Sequence, residues 1–308
     1  MTVWLVGHGV VGRRVARLLD ATGVRIHDPR HEPTPFGAPG DVAVLSHPVR
    51  HSPLAEAFGR RGLSVVTLGD HLDDTVDLLE LDTLFRAEGG SLVLGAAVSP
   101  GLSGLLARYL ARSMAVCDEI HIAVHGTAGP ACARAHHRSL SGRALGWSDG
   151  GWTEHRGGAG RELCWFPEPV GARDCYRAEI ASPLLLHESF PEVSRISARR
   201  SATRRDRVTA PLPMLRTPHA EGGIGALRVE VRGASESGER VTSVLGVAEL
   251  VGSASAATAV AFVEECLAGG LPAGVVRAGD EALDTAAILG RVEAHGVRIQ
   301  RFTGVPTR

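Results

Sequence analysis

The chain has no lysine: all 33 basic residues among its 308 are arginine. No lysine base or Schiff base is therefore available, and arginine stays protonated at any working pH. Proton transfer falls to His, Asp, Glu, Tyr, Cys or water. Aromatic residues make up only 4%, too few for the stacking platforms that hold single-stranded nucleic acid. The net charge of -1 offers no field to attract a phosphate backbone or an anionic membrane, so no nucleic acid and no membrane partner is expected. The five cysteines are scattered and include no CxxC pair. That usage excludes a disulfide framework and a thiolate zinc site, and predicts a reducing, cytoplasmic setting. The most apolar stretch, 241–263, is broken by Glu249 and rich in Ser and Ala, too weak for a membrane span. No basic and apolar leader precedes the first strand, so no secretory signal is expected. What remains is ordinary globular composition, 44% hydrophobic and 22% charged, in a length that suits two domains.

Val3-Trp4-Leu5-Val6 is a short apolar run of the kind a buried parallel strand shows. It leads into Gly7-His8-Gly9-Val10-Val11-Gly12, a G-x-G-x-x-G. Val11, Val15, Leu18 and Leu19 then recur at helical spacing. A second strand, Val24-Arg25-Ile26-His27, stops at Asp28. Gly7 permits the tight turn, Gly9 lets the backbone approach a pyrophosphate, and Gly12 lets helix and strand pack closely. The helix N-terminus at Val10 and Val11 then presents unpaired N–H groups to the phosphates. Asp28, 21 positions after Gly7, stands where a carboxylate binds the ribose hydroxyls, which favours NAD. Arg30, two residues on, is placed to hold a 2′-phosphate, so NADP stays open. A glycine turn that binds nothing is the alternative, but it leaves the second strand and its acid unexplained.

Strand and helix patterns then alternate. Residues 41–45, 63–66 and 91–95 read as strands; 54–61 reads as a helix, and Asp73 can cap another bearing Val76, Leu79 and Leu84. A last helix covers Leu105, Leu106 and Leu110. This repetition predicts an α/β fold, a doubly wound parallel sheet of Rossmann type over residues 1–116.

From about Cys117 the period changes. Glu119, His121, Ala123 and His125 alternate with Ile120, Ile122 and Val124, as in a half-buried antiparallel strand. Leu227, Val229 and Val231, a turn at 234–238 and the run 241–250 read as a hairpin. An α+β substrate and dimerisation domain is expected over 117–252, and a helical segment over 253–308 packing back towards the first domain.

The candidate chemistry lies in that second domain. His136 and His137 suit proton transfer at neutral pH; adjacent residues point apart, so at most one is expected to face a substrate. Asp174 and Tyr176, within Arg173-Asp174-Cys175-Tyr176, place a carboxylate and a phenol beside an anion binder. His125, Arg173, Arg204 and Arg205 are candidate substrate ligands, since only arginine can hold a substrate carboxylate here. Glu119, His121 and His125 share a strand face, better explained as a polar sheet surface than a metal site; no metal is expected.

The segment 94–107, Leu94-Gly95-Ala96-Ala97-Val98-Ser99-Pro100-Gly101-Leu102-Ser103-Gly104-Leu105-Leu106-Ala107, resembles the G-x-x-P-G-L-x-x-L-L-A segment of the saccharopine dehydrogenase-like oxidoreductases. Residues 125–131 and 171–176 are similar to later segments of that family. The resemblance implies an NAD(P)-linked hydride transfer at a C–N or C–O carbon of a small, carboxylate-bearing molecule, and a homodimer through the second-domain sheet. Ser99 replaces the acid many members carry before Pro-Gly. Reduction of a C=C bond, or nucleotide binding without turnover, stays open.

Overall fold

The first strand, β1 (Val3–Val6), sends Val3 and Leu5 to one apolar core and Trp4 to another, the period-two alternation of a strand covered on both faces. The computed structural model describes residues 2–21, 26–27, 37–214 and 217–301. After β1 come α1 (Val10–Ala21), β2 (Ile26–His27), β3 (Val42–Leu45), α2 (Ser52–Gly59) and β4 (Ser64–Thr67). Next are α3 (Leu72–Leu79), α4 (Asp82–Glu88), β5 (Ser91–Leu94) and α5 (Leu102–Ala111). The second region holds β6 (Val116–His125), α6 (Pro130–Ser139), β7 (Arg143–Ser148), β8 (Gly151–Arg156), β9 (Glu162–Trp165) and β10 (Ala172–Arg177). It continues with α7 (Ser182–Ser189), β11 (Arg195–Ser201), α8 (Arg204–Thr209), β12 (Ile224–Ala234) and β13 (Arg240–Leu250). The tail supplies α9 (Val251–Ala268), β14 (Gly274–Arg277), α10 (Thr285–Ala294) and β15 (Gln300–Arg301).

The first sheet is wholly parallel in the order β14-β5-β4-β3-β1-β2. β2 and β3 flank β1, so chain direction across the sheet reverses there and opens a crevice beyond the carboxyl ends of β1 and β3. The second sheet is mixed, ordered β15-β13-β12-β6-β11-β10-β9, with β7 and β8 branching from β11. The expected hairpin is β12 and β13, paired from Ile224 with Leu250 to Ala234 with Arg240. The architecture is thus the α/β fold anticipated, a parallel nucleotide-type sheet with a second α+β domain.

Three local differences have physical causes. The helix drawn through Val76, Leu79 and Leu84 is two helices, α3 and α4, broken at Leu81. Asp73 does not cap α3, whose N-cap is His71. The capping carboxylate is that of buried Asp74, which accepts from the backbone of His51 at 2.7 Å and Ser52 at 3.0 Å at the start of α2. The tail, read as helical, also carries β14, a sixth parallel strand beside β5, and β15, which pairs with β13.

α9 is long and apolar enough to cross a membrane by length and composition, yet it is mostly buried here. Its small Ala, Gly and Ser residues allow close packing against α1, α10, β3 and β4. Phe262, wholly buried, is its largest core contribution. Phe262→Ala is expected to cost about 3–5 kcal/mol of stability, read from urea unfolding. A loss under about 1 kcal/mol contradicts this packing.

Candidate functional site

The loop from β1 to α1 is shaped by close approach. Gly7 has φ of 115°, and a Cβ on it would lie 2.7 Å from the His47 backbone nitrogen. A Cβ on Gly12 would lie 2.0 Å from the Gly7 carbonyl oxygen. Neither position admits a side chain. Gly9 differs: among the described residues a Cβ there meets nothing within 4 Å, so no described side chain fills its open side. The Ser46 hydroxyl, just past β3, donates to the Val6 and Gly7 carbonyls at 3.2 and 2.9 Å and ties both edges of the crevice together. Val10 opens α1, and half-buried Val11 packs on the core. Asp28 and Arg30 lie outside the described residues.

Two imidazoles stand beside this loop. His51 is buried, with Nε2 bonded to the His47 carbonyl at 2.9 Å, and the two rings meet edge to face. Burial and the neighbouring His51 push His47 down to about 4.

The second domain presses on the same place. A Cβ on Gly129 would come within 2.7 Å of Val10 Cγ2, and Glu221 pairs with Arg13 and Arg14 of α1 at 3.2 and 2.9 Å. Beside this junction lies a cavity of about 360 Å³. Its walls include His125 at the end of β6, His136 and His137 on α6, Arg173 and Asp174 on β10, and Ser201 at the end of β11. Each imidazole has a defined partner. His125 Nδ1 is 2.7 Å from the Ser201 hydroxyl. His136 Nε2–H donates to the Ser201 carbonyl at 2.9 Å, and His137 Nε2–H to those of Thr209 and Leu212 at 3.0 and 3.1 Å. In a neutral ring those bonds leave Nδ1 as an acceptor. Burial, with Arg200 close by, pushes His136 down to about 4. Burial, and then Arg173, lower His125. Asp174 pairs with Arg161 at 2.9 Å.

Five of the eight candidate catalytic and substrate-binding residues thus meet around one cavity. His136 and His137 both line it, their ring nitrogens anchored to different walls. Tyr176 does not reach it. The ring is 1% exposed in the core beneath the Arg207 guanidinium, so the pairing of its phenol with Asp174 is corrected. Arg204 and Arg205 are exposed on the first turn of α8 and line no part of the cavity. Ser201, Asp206 and Met214 join the walls without any sequence signal, and Thr127 joins them from the 125–131 segment. Glu119, His121 and Ser197 form a hydrogen-bonded row on the sheet surface, at 2.9 and 2.8 Å. Among the described residues no three His, Cys, Asp or Glu converge as a metal site.

Imidazoles held below their ordinary value near 6.5 stabilise the fold only while neutral. The unfolded chain therefore takes up protons first, and stability is expected to fall as the pH drops from about 6.5 towards 4. Urea midpoints between about pH 7 and pH 5 check this, with His47→Gln and His136→Gln each shrinking the fall. An unchanged slope in both variants contradicts it.

No family model and no curated protein sequence matches the chain. Solved structures do. Apo histidine-tagged saccharopine dehydrogenase (L-Glu forming) from Saccharomyces cerevisiae is 12% identical, with a TM-score of 0.64 over 98% of this chain and 100% of that one. C. glutamicum DAP dehydrogenase in complex with DAP is 13% identical, with a TM-score of 0.52 over 96% and 99%. At these identities the likeness is one of fold, and that fold is saccharopine dehydrogenase-like.

Proposed function

We propose that the chain is an NAD(P)-dependent oxidoreductase that moves a hydride to or from a C–N or C–O carbon of a small, carboxylate-bearing substrate. One juxtaposition supports this above all. A glycine loop with its open side at Gly9 abuts, through Gly129 on Val10, a cavity walled by three histidines and an arginine. The two structural relatives are dehydrogenases by name, which agrees.

The crevice fits a dinucleotide. Gly9 leaves room for a diphosphate, and the first turn of α1 at Val10 and Val11 offers it N–H groups and a positive dipole end. NAD is preferred to NADP on account of Asp28. A bound nicotinamide supplies or accepts the hydride. The protein's own groups do the rest. Arg173 holds the carboxylate at the cavity rim. His125, its ring fixed by the Ser201 hydroxyl, takes or returns the proton on the substrate's nitrogen or oxygen. His136, neutral at physiological pH, accepts a hydrogen bond and orients the substrate rather than storing a proton. His137 anchors the 209–212 segment, which runs between the wall residues Asp206 and Met214, and Asp174 balances Arg161 at the cavity's edge. We extend the same reading to a cytoplasmic homodimer formed through the second-domain sheet.

The test is a titration of NADH and NADPH, followed by turnover against amino acids, 2-oxo acids with ammonium, hydroxy acids and enoyl thioesters. Turnover of a C–N or C–O substrate supports the proposal. Turnover of enoyl compounds alone moves it to C=C reduction, and tight binding without turnover to a silent nucleotide binder. Failure to bind either cofactor overturns it.

A further inference from the structure

Arg200 lies one residue from Ser201 and turns to the other side of β11, the side on which Ile196 and Ala198 enter the core. Its guanidinium is only 8% exposed, and it meets the carboxylate of Asp70. Asp70 belongs to the first domain, just past the carboxyl end of β4, where the crevice opens. The pair therefore crosses from the wall of the cavity to the edge of the nucleotide site.

A buried charge needs a partner, but burying an ion pair is a poor way to gain stability. What such a pair supplies is a defined geometry. Among the described residues, buried Arg200 Nε has no hydrogen-bond acceptor, so the guanidinium is not arranged to satisfy all its donors. Its position follows Asp70 instead. Among the described residues, Arg143 with Asp73 at 3.9 Å and Arg13 with Glu221 at 3.2 Å also link the two regions, but through exposed side chains that hold little. Arg14 with Glu221 at 2.9 Å and Arg277 with Glu188 at 3.6 Å are less exposed, and neither touches β11. Ser201 carries both His136, on its carbonyl, and His125, on its hydroxyl. A shift of the strand at residue 200 thus moves both rings at once.

We propose that Arg200 is a positioning residue: through Asp70 it holds the Ser201 row of imidazoles in register with the nucleotide crevice. This rests on the crevice being the cofactor site and the cavity the substrate site. Cys132, one helical turn before His136 on α6, is close enough for both Arg200 and Asp70 to bear on its thiol, and so reports on the junction.

The experiment uses the full chain with Asp70→Asn, Arg200→Met, Arg200→Lys and the charge-swapped double variant Asp70→Arg/Arg200→Asp. Maleimide labelling of Cys132, resolved by peptide mass against Cys117, is read beside the imidazole NMR signal of His136. Both single losses are expected to speed Cys132 labelling by about tenfold through local opening, with Cys117 unchanged. They also remove the protected Nε2–H signal of His136, and Arg200→Met raises its pKa, the remaining charges around it being Asp70 and Asp206. Arg200→Lys restores part of the protection, and the swapped pair returns labelling to within about threefold of the parent. Unchanged Cys132 labelling and His136 signal in Asp70→Asn and Arg200→Met overturn the proposal, as does a swapped pair no better than its singles. Should Arg200→Met fail to fold, Asp70→Asn decides alone. Neither readout needs cofactor, so a protein that binds no NADH would defeat the proposed function without touching this result.

Discussion

Gly9→Val is expected to weaken NADH binding by about 100-fold or more, equivalent to about 2.7 kcal/mol, while melting at the parent temperature. The two effects separate because of where Gly9 sits. Among the described residues a Cβ at this position meets no atom within 4 Å, and its backbone is not in the left-handed region, so the fold accommodates valine. The space a valine fills is the space a diphosphate would need to reach the N–H groups of α1. Gly12→Val is the contrast. Its Cβ would fall 2.0 Å from the Gly7 oxygen, so backbone must move and about 1–3 kcal/mol of stability goes as well. Fluorescence titration and thermal unfolding of both variants check this. Gly9→Val protein that binds NADH normally, or that unfolds like Gly12→Val, contradicts the assigned role of the loop.

His125→Phe is expected to lower kcat by about 10²–10⁴-fold with cofactor affinity unchanged. Phenylalanine keeps a ring between Ser201 and Phe166, whose own ring centroid is 6.0 Å away, but carries no proton. Ser201→Ala is expected to cost less, since it removes the partner that fixes the ring and not the ring itself. Steady-state turnover of the best substrate found measures both. Retained turnover in His125→Phe rules out His125 as the proton carrier and returns the role to His137 or Asp174.

The first domain was legible because its signals are local. A strand, a glycine turn and a helix follow within twenty-one residues, and each glycine has a separate steric reason. The hairpin of β12 and β13 was legible for the same reason, through period-two alternation across a short turn. Other features hang on distant contacts. α6 carries two cavity histidines, but its ten residues, Pro-Ala-Cys-Ala-Arg-Ala-His-His-Arg-Ser, show no apolar stripe. β14 is four residues long and becomes a strand by pairing with β5, some 180 positions earlier. Arg173 and Tyr176 look alike as candidates in sequence, yet the first stands on the cavity rim and the second sinks into the core under Arg207, because residues three apart on a strand face opposite sides. Ser201 and Asp70 carry no motif at all; only folding brings them to the junction.

Everything proposed about chemistry depends on a diphosphate seated at the opening glycine loop with the nicotinamide turned towards the histidine-walled cavity. A crystal structure with NAD bound measures that directly. The expected density has phosphate oxygens on the amides around Gly9 to Val11 and the reactive ring carbon facing the space beside His125. Density for the cofactor elsewhere on the protein, or a nicotinamide directed away from that space, contradicts the account.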